Sequence, residues 1–151
     1  MKPRTIVITG ASRGIGKELV HQLAEYSGHR ILALSRNVTK MEAEFEDLEN
    51  VSCHGFDLSR DDVKEQTATI LSNIDSVDVL INNAGYGHEG VLEESPLEEM
   101  RRQFDVNVFG AVAVAKAFLP RFRERRRGFI VNVTSMGGMI TMPGIAYYCG
   151  S

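Results

Sequence analysis

Thr5-Ile6-Val7-Ile8-Thr9 runs straight into Gly10, and Gly14 and Gly16 follow at the head of a second apolar pattern. The run is β-branched throughout and has no polar face. It therefore reads as a strand covered on both sides, the condition of a strand inside a parallel sheet. A parallel neighbour can be reached only by a crossover long enough to hold a helix, so the chain beyond Gly10 must alternate helices with further strands.

It does so throughout its length. A helix from Gly14 to about Tyr26 carries Ile15, Leu19, Val20 and Leu23 at three-to-four spacing and closes at Ser27-Gly28. Ile31 to Leu34 is a second strand, Met41 to Leu48 a short helix, and Val51 to Phe56 a third strand ending at Asp57-Leu58. Asp61 to Ile74 reads as a helix and Val77 to Ile81 as a fourth strand, which enters the loop Asn82-Asn83-Ala84-Gly85. Tyr86 to Glu94 reads as loop. Ser95 is placed as an N-cap with Pro96 at the first helical position; Leu97, Met100, Phe104 and Val108 continue a helical period to about Phe122. Gly128 precedes a fifth strand, Phe129 to Thr134. The alternation predicts an α/β fold, a doubly wound parallel sheet (Rossmann-like) with helices on both faces, in one domain over 1–151.

Charge narrows the function classes. The net charge of −3 argues against a nucleic-acid binder, which needs a cationic surface. The one basic cluster, Arg121, Arg123, Arg125, Arg126 and Arg127, follows an apolar helical run and reads as a solvated helix end, where cations complement the dipole. Cys53 and Cys149 form no disulfide framework, which suggests a reducing compartment. The start of the chain has no apolar leader. The most apolar stretch, Val106 to Leu119, contains Lys116 and falls short of the roughly 20 residues that span a bilayer. These features together predict a cytoplasmic protein without a membrane span. The four histidines are scattered without ligand spacing, so no metal site is expected.

The glycine turn is the chemical signal. A strand ending at Gly10, with Gly14 and Gly16 opening a helix, offers free backbone N–H groups and a positive helix end to a pyrophosphate. The spacing, Gly-x-x-x-Gly-x-Gly, differs from the common dinucleotide fingerprint, so the mechanism is met rather than the letters. Cofactor choice is argued from charge. An acid after the second strand would bind a ribose 2′-hydroxyl, whereas a 2′-phosphate needs cations. Here that strand ends at Ser35-Arg36, and Arg13 adds a second cation. Ser12 can donate a further hydrogen bond. NADP(H) is expected, the alternative being that Arg13 and Arg36 are ordinary surface residues.

Thr9 to Gly16, Asp57-Leu58, Asn82-Asn83-Ala84-Gly85, Asn107, Ser135 and Tyr148 stand in an order and spacing that resembles the short-chain dehydrogenase/reductase family, across the whole chain. Tyr148-Cys149-Gly150-Ser151 is similar to the corresponding segment of its hydroxysteroid and retinol dehydrogenase and carbonyl reductase branch. The resemblance implies cofactor contacts from Gly10, Ser12, Arg13, Gly14, Ile15, Gly16, Arg36, Asp57, Leu58, Asn83, Ala84, Gly85 and Tyr148. Within these, Ile15 would offer a backbone N–H to the pyrophosphate, Asp57 would accept from the adenine amino group, and Asn83 would lie near the nicotinamide ribose. It also implies a catalytic set. Tyr148, 13 residues after Ser135, would be the acid/base; Ser135 would hydrogen-bond the substrate oxygen, and Asn107 would hold a water in a proton relay. Taken singly, these three residues also read as a core aromatic, a turn hydroxyl and a helix-interior polar group.

A phenol works as an acid/base near neutral pH when a cation lowers its pKa. The family supplies a lysine four residues after the tyrosine, and position 152 lies beyond the last residue, Ser151. The expectation is thus a fold truncated after the fifth strand, the piece inactive alone and the parent chain a homodimer or homotetramer. The methionine-rich segment 136–144 would border an apolar carbonyl or alcohol substrate, or else be core. The expected activity is an NADP(H)-dependent oxidoreductase, with a non-catalytic dinucleotide-binding module as the alternative.

Overall fold

The computed structural model describes residues 2–26, 28–72 and 74–151. Five parallel strands, β1 (Thr5–Thr9), β2 (Arg30–Ser35), β3 (Val51–Gly55), β4 (Val79–Asn82) and β5 (Phe129–Asn132), form one sheet in the order β3-β2-β1-β4-β5. Between them run α1 (Gly14–Ala24), α2 (Val38–Glu44), α3 (Val63–Ser72), α4 (Leu97–Phe104) and α5 (Ala111–Glu124), and α6 (Ala146–Gly150) follows the last strand. The doubly wound parallel sheet expected from the strand pattern is the fold observed.

Successive side chains of the central strands point to opposite faces, and both faces are covered. Ile6, Ile8, Ile31, Ala33, Val79 and Ile81 pack with Val20, Met41 and Phe45 on one side. Val7, Leu32, Leu34 and Leu80 pack with Ile70, Leu71, Val114 and Phe118 on the other. The middle of a strand sandwiched in this way favours apolar side chains, which explains Ile6-Val7-Ile8 in β1, while the buried Thr9 at its end has hydrogen-bond partners.

Several boundaries differ from expectation. Asn37 caps α2 by accepting from Lys40 N at 3.0 Å, so that helix starts at Val38 and ends before Leu48. The proposed Ser95 cap is not formed. Ser95 Oγ donates to Val91 O, Pro96 is extended at ψ 138, and α4 begins only at Leu97. Ser27, read as part of the closing turn of α1, lies outside the described residues, while α1 itself ends at Ala24. The long helix expected to reach Phe122 is interrupted by a π-helical turn over Asp105–Gly110. There Gly110 passes so close to Leu58 that a Cβ would stand 2.8 Å from both its Cβ and its carbonyl oxygen. The buried positions along this stretch are Gln103, Gly110, Val114, Phe118 and Phe122, while Leu97 is exposed and Val108 half-buried.

The arginine cluster closes the lower end of the sheet. Arg121 donates to Ile74 O at 3.1 Å, and Arg125 donates to Val77 O at 2.7 Å. Arg125 and Arg127 both lie 3.4 Å from Asp78 Oδ1, while Asp78 Oδ2 accepts from Thr5 N at 3.0 Å. These residues tie the end of α5 to the starts of β1 and β4, a more specific role than a solvated helix end. No helix among the described residues is long and apolar enough to cross a membrane. Asp78→Ala leaves the Thr5 N–H without its acceptor and should lower stability to denaturant by about 1–3 kcal/mol. Arg123→Ala, exposed and without a side-chain partner among the described residues, should stay within about 0.5 kcal/mol. Equal shifts for the two variants in urea titrations would contradict this account of the sheet end.

Candidate functional site

The strand order reverses between β1 and β4, and a doubly wound sheet opens a crevice above such a point. Thr9, the last residue of β1, fixes the two strand ends together. Its Oγ1 accepts from Asn83 N at 3.0 Å and Ala84 N at 3.1 Å, and Asn83 Nδ2 donates back to Thr9 O at 2.9 Å and Gly10 O at 3.3 Å. Gly16 fits under this knot, where a Cβ would collide with the Gly10 carbonyl oxygen and the Asn83 amide nitrogen. Asn83 is thus part of the architecture of the turn as well as of the crevice wall.

Above the knot lies a cleft of about 580 Å³. Gly10, Ser12, Arg13, Gly14, Ile15, Arg36, Asp57, Leu58, Asn83, Ala84 and Gly85 line it, all named from the sequence. Gly16 sits behind the wall, and Tyr148 is not part of the lining. Gly14 has φ +56, and a Cβ there would meet no protein atom within 4 Å, so the missing side chain leaves open room at the helix end. No side chain caps the N-terminus of α1 and no acid stands in its first turn, which leaves its N–H groups and positive end available to an anion. Ile15, expected on the buried stripe of α1, is instead 62% exposed at the cleft.

Three arginines face this space. Arg13, Arg36 and Arg102 line it, and none is ion-paired among the described residues. Asp57 is the one acidic residue of the lining, so the cleft is cationic in an acidic protein. Burial pushes the Asp57 carboxyl up, but two hydrogen bonds from Ser59, from N at 3.0 Å and Oγ at 2.7 Å, with Arg36 and Arg60 nearby, bring it below the usual carboxylate range. It stays ionised at neutral pH. Ser35 Oγ donates to Ser12 Oγ at 2.9 Å, which leaves the Ser12 proton free.

Sequence reasoning missed Arg102, Tyr86 and Val106 on the opposite wall. Arg102 and Val106 are four residues apart, a spacing that puts side chains on one helix face. The apolar stripe alone did not reveal that face, because Arg102 is charged and exposed. Burial raises the pKa of Tyr86, Glu99 adds to the rise, and Arg102 and Arg36 oppose it.

The three proposed catalytic residues gather beside the cleft. Ser135 and Tyr148 converge on Gly137, where a Cβ would lie 3.1 Å from Tyr148 Cε1 and 3.4 Å from Ser135 Oγ. On the other edge of the ring a Cβ at Gly87 would lie 3.3 Å from Tyr148 Cδ2. Ser135 Oγ accepts from Gly137 N at 3.1 Å and keeps its own proton to donate. Asn107 is held by a reciprocal pair with the backbone of Tyr86, its Oδ1 accepting from N at 3.1 Å and its Nδ2 donating to O at 2.9 Å. Nδ2 also donates to Ser151 Oγ at 2.9 Å. Both amide hydrogens are therefore spent inside the protein, and only a lone pair of Oδ1 is left for a water. Met136, Met139, Ile140 and Met142 are exposed in these 151 residues, Met139 at 88%.

The model of the short chain dehydrogenase family matches residues 4–151. A 3-ketodihydrosphingosine reductase of Bacteroides thetaiotaomicron is 38% identical over 100% of this chain and 54% of its own length. Human retinol dehydrogenase 8 is 41% identical over 91% of the chain and 46% of its own. The chain thus spans about half the length of the curated relatives it matches. A metagenomic short-chain oxidoreductase in complex with NADP superposes with a TM-score of 0.91 at 30% identity, covering 97% of this chain and 69% of that one. An alcohol dehydrogenase of Thermococcus sibiricus complexed with 5-hydroxy-NADP gives 0.89 at 32%, covering 99% and 65%. With the glycine cleft and the Ser135–Tyr148 pair lying within the matched span, the chain belongs to the short-chain dehydrogenase family.

Proposed function

We propose that this chain carries the cofactor cleft and reacting residues of an NADP(H)-dependent oxidoreductase acting on an apolar carbonyl or secondary alcohol. The observation that carries the reading is the cationic cleft, with Arg13, Arg36 and Arg102 free of ion pairs among the described residues, opening beside the Ser135–Tyr148 pair. When bound, a nicotinamide dinucleotide supplies or accepts the hydride. The glycine turn and the head of α1 would hold its pyrophosphate, Arg13 and Arg36 its 2′-phosphate, and Asp57 its adenine.

The protein's own part is to hold the substrate oxygen and move one proton. Tyr148 gives its phenolic proton to the oxygen as reduction builds charge there, or takes it back in oxidation. Ser135, with its proton free, donates a hydrogen bond to the same oxygen and stabilises that charge. Two structural neighbours with NADP-type ligands support the cofactor choice. The exposed apolar segment 136–142 and Val91 and Leu92 of the facing loop, tied by Gly90 N donating to Gly144 O at 2.7 Å, support an apolar substrate. The relatives named for 3-ketodihydrosphingosine and retinol suggest the same class.

In the complete polypeptide, Tyr148→Phe should lower turnover by about 10²–10⁴-fold while NADPH still binds. Turnover that survives the exchange, followed by cofactor absorbance, would refute the acid/base role of Tyr148, whereas NADPH binding without turnover in the unsubstituted polypeptide would favour a non-catalytic dinucleotide-binding module. Arg36→Ala should weaken NADPH by about 10–100-fold, the value of one charged hydrogen bond, and leave NADH nearly unchanged. Equal loss for both cofactors in calorimetric titrations would refute the 2′-phosphate assignment.

A further inference from the structure

Gln103 is fully buried at 0% exposure in a helix whose other residues are half-buried or exposed. A buried amide is retained only where its polar atoms are used, and both ends of this one are. Oε1 accepts from His88 N at 2.6 Å, and Nε2 donates to Ser151 Oγ at 3.0 Å. Ser151 Oγ also accepts from Asn107 and donates to Tyr148 O at 3.1 Å. A hydroxyl has one proton and two lone pairs, so Ser151 is saturated and its proton is fixed toward the backbone of Tyr148.

The two ends of Gln103 thereby join the two bodies that flank the Tyr148 ring. His88 follows Gly87, where a Cβ would stand 3.3 Å from one edge of the ring, and Ser151, three residues after the tyrosine, donates to its carbonyl oxygen. One buried amide therefore couples the backbone of Tyr148 to the loop beside its ring. We propose that Gln103 is a positioning residue, acting through Ser151 to hold Tyr148 in register with the loop at Gly87 and with Ser135. The inference rests on the reading of Tyr148 as the acid/base.

The test is made in the complete polypeptide with Gln103→Met, which keeps length and volume but removes both hydrogen bonds. Turnover should fall about tenfold, the equivalent of one lost buried hydrogen bond. KM for the cofactor should stay within about twofold, because Gln103 does not line the cleft. The limb of the pH–rate profile governed by the tyrosine should shift, and amide exchange at Cys149 and Ser151 should quicken without cofactor. Ser151→Ala should reproduce the loss of turnover, and adding Gln103→Met to it should cost little more, since both act through one node. It also serves should the buried methionine prevent folding. Asp78→Ala, destabilised at the far end of the sheet, should keep its turnover.

Unchanged turnover and pH profile in Gln103→Met or Ser151→Ala, with only a lower melting temperature, would overturn the proposal. So would full additivity of the two substitutions. If Tyr148→Phe itself retains turnover, the acid/base reading fails and this inference with it. If Tyr148→Phe is inactive and the Gln103 variant is not impaired, only the positioning role is lost.

Discussion

The contact of Gly16 with the Gly10 carbonyl and the Asn83 amide is the constraint on which the remainder depends. It brings the head of α1 down onto the junction of β1 and β4, where the order of the sheet reverses. A side chain larger than hydrogen would lift the helix from the strands and close the crevice from below. Thr9 and Asn83 add four hydrogen bonds across the same junction, so a backbone that must stay open to a ligand is held from behind. Rigidity beneath and free N–H groups above are the two properties an anion site needs.

Charge is distributed against the average of the chain. The protein is acidic overall, yet the cleft above the glycine turn presents three guanidinium groups, none ion-paired among the described residues, and one carboxylate. Arginines left without partners beside a cavity hold a field that a polyanion can use, whereas those at the other end of the sheet are spent on carbonyls and on Asp78. The same residue type thus serves two purposes, and what divides them is whether the structure offers an internal acceptor.

The reacting residues are organised by polar connections rather than by apolar packing. Tyr148 lies on α6, and Asn107, Gln103 and Ser151 bind that helix to the loop after β4. The π-helical turn allows this arrangement, since Asn107 lies within it and the helix resumes at Ala111 with its apolar face on the core.

The sequence alone determined the strands, the parallel sheet, the glycine cradle and most of the cleft. Those features are written locally: in β-branched runs, in residues that must lack a side chain, and in a motif that spans the chain in order. Arg102, the buried Gln103 and the break in the long helix were not legible, and neither was the structural work of Arg121 and Arg125. Each depends on a partner far along the chain: Arg102 on a cavity wall built from β2 and β4, Gln103 on His88 and Ser151, and Gly110 on Leu58. A one-dimensional pattern records which face of an element is apolar, but the polar atom that a buried amide or a guanidinium will meet is decided only when the elements pack.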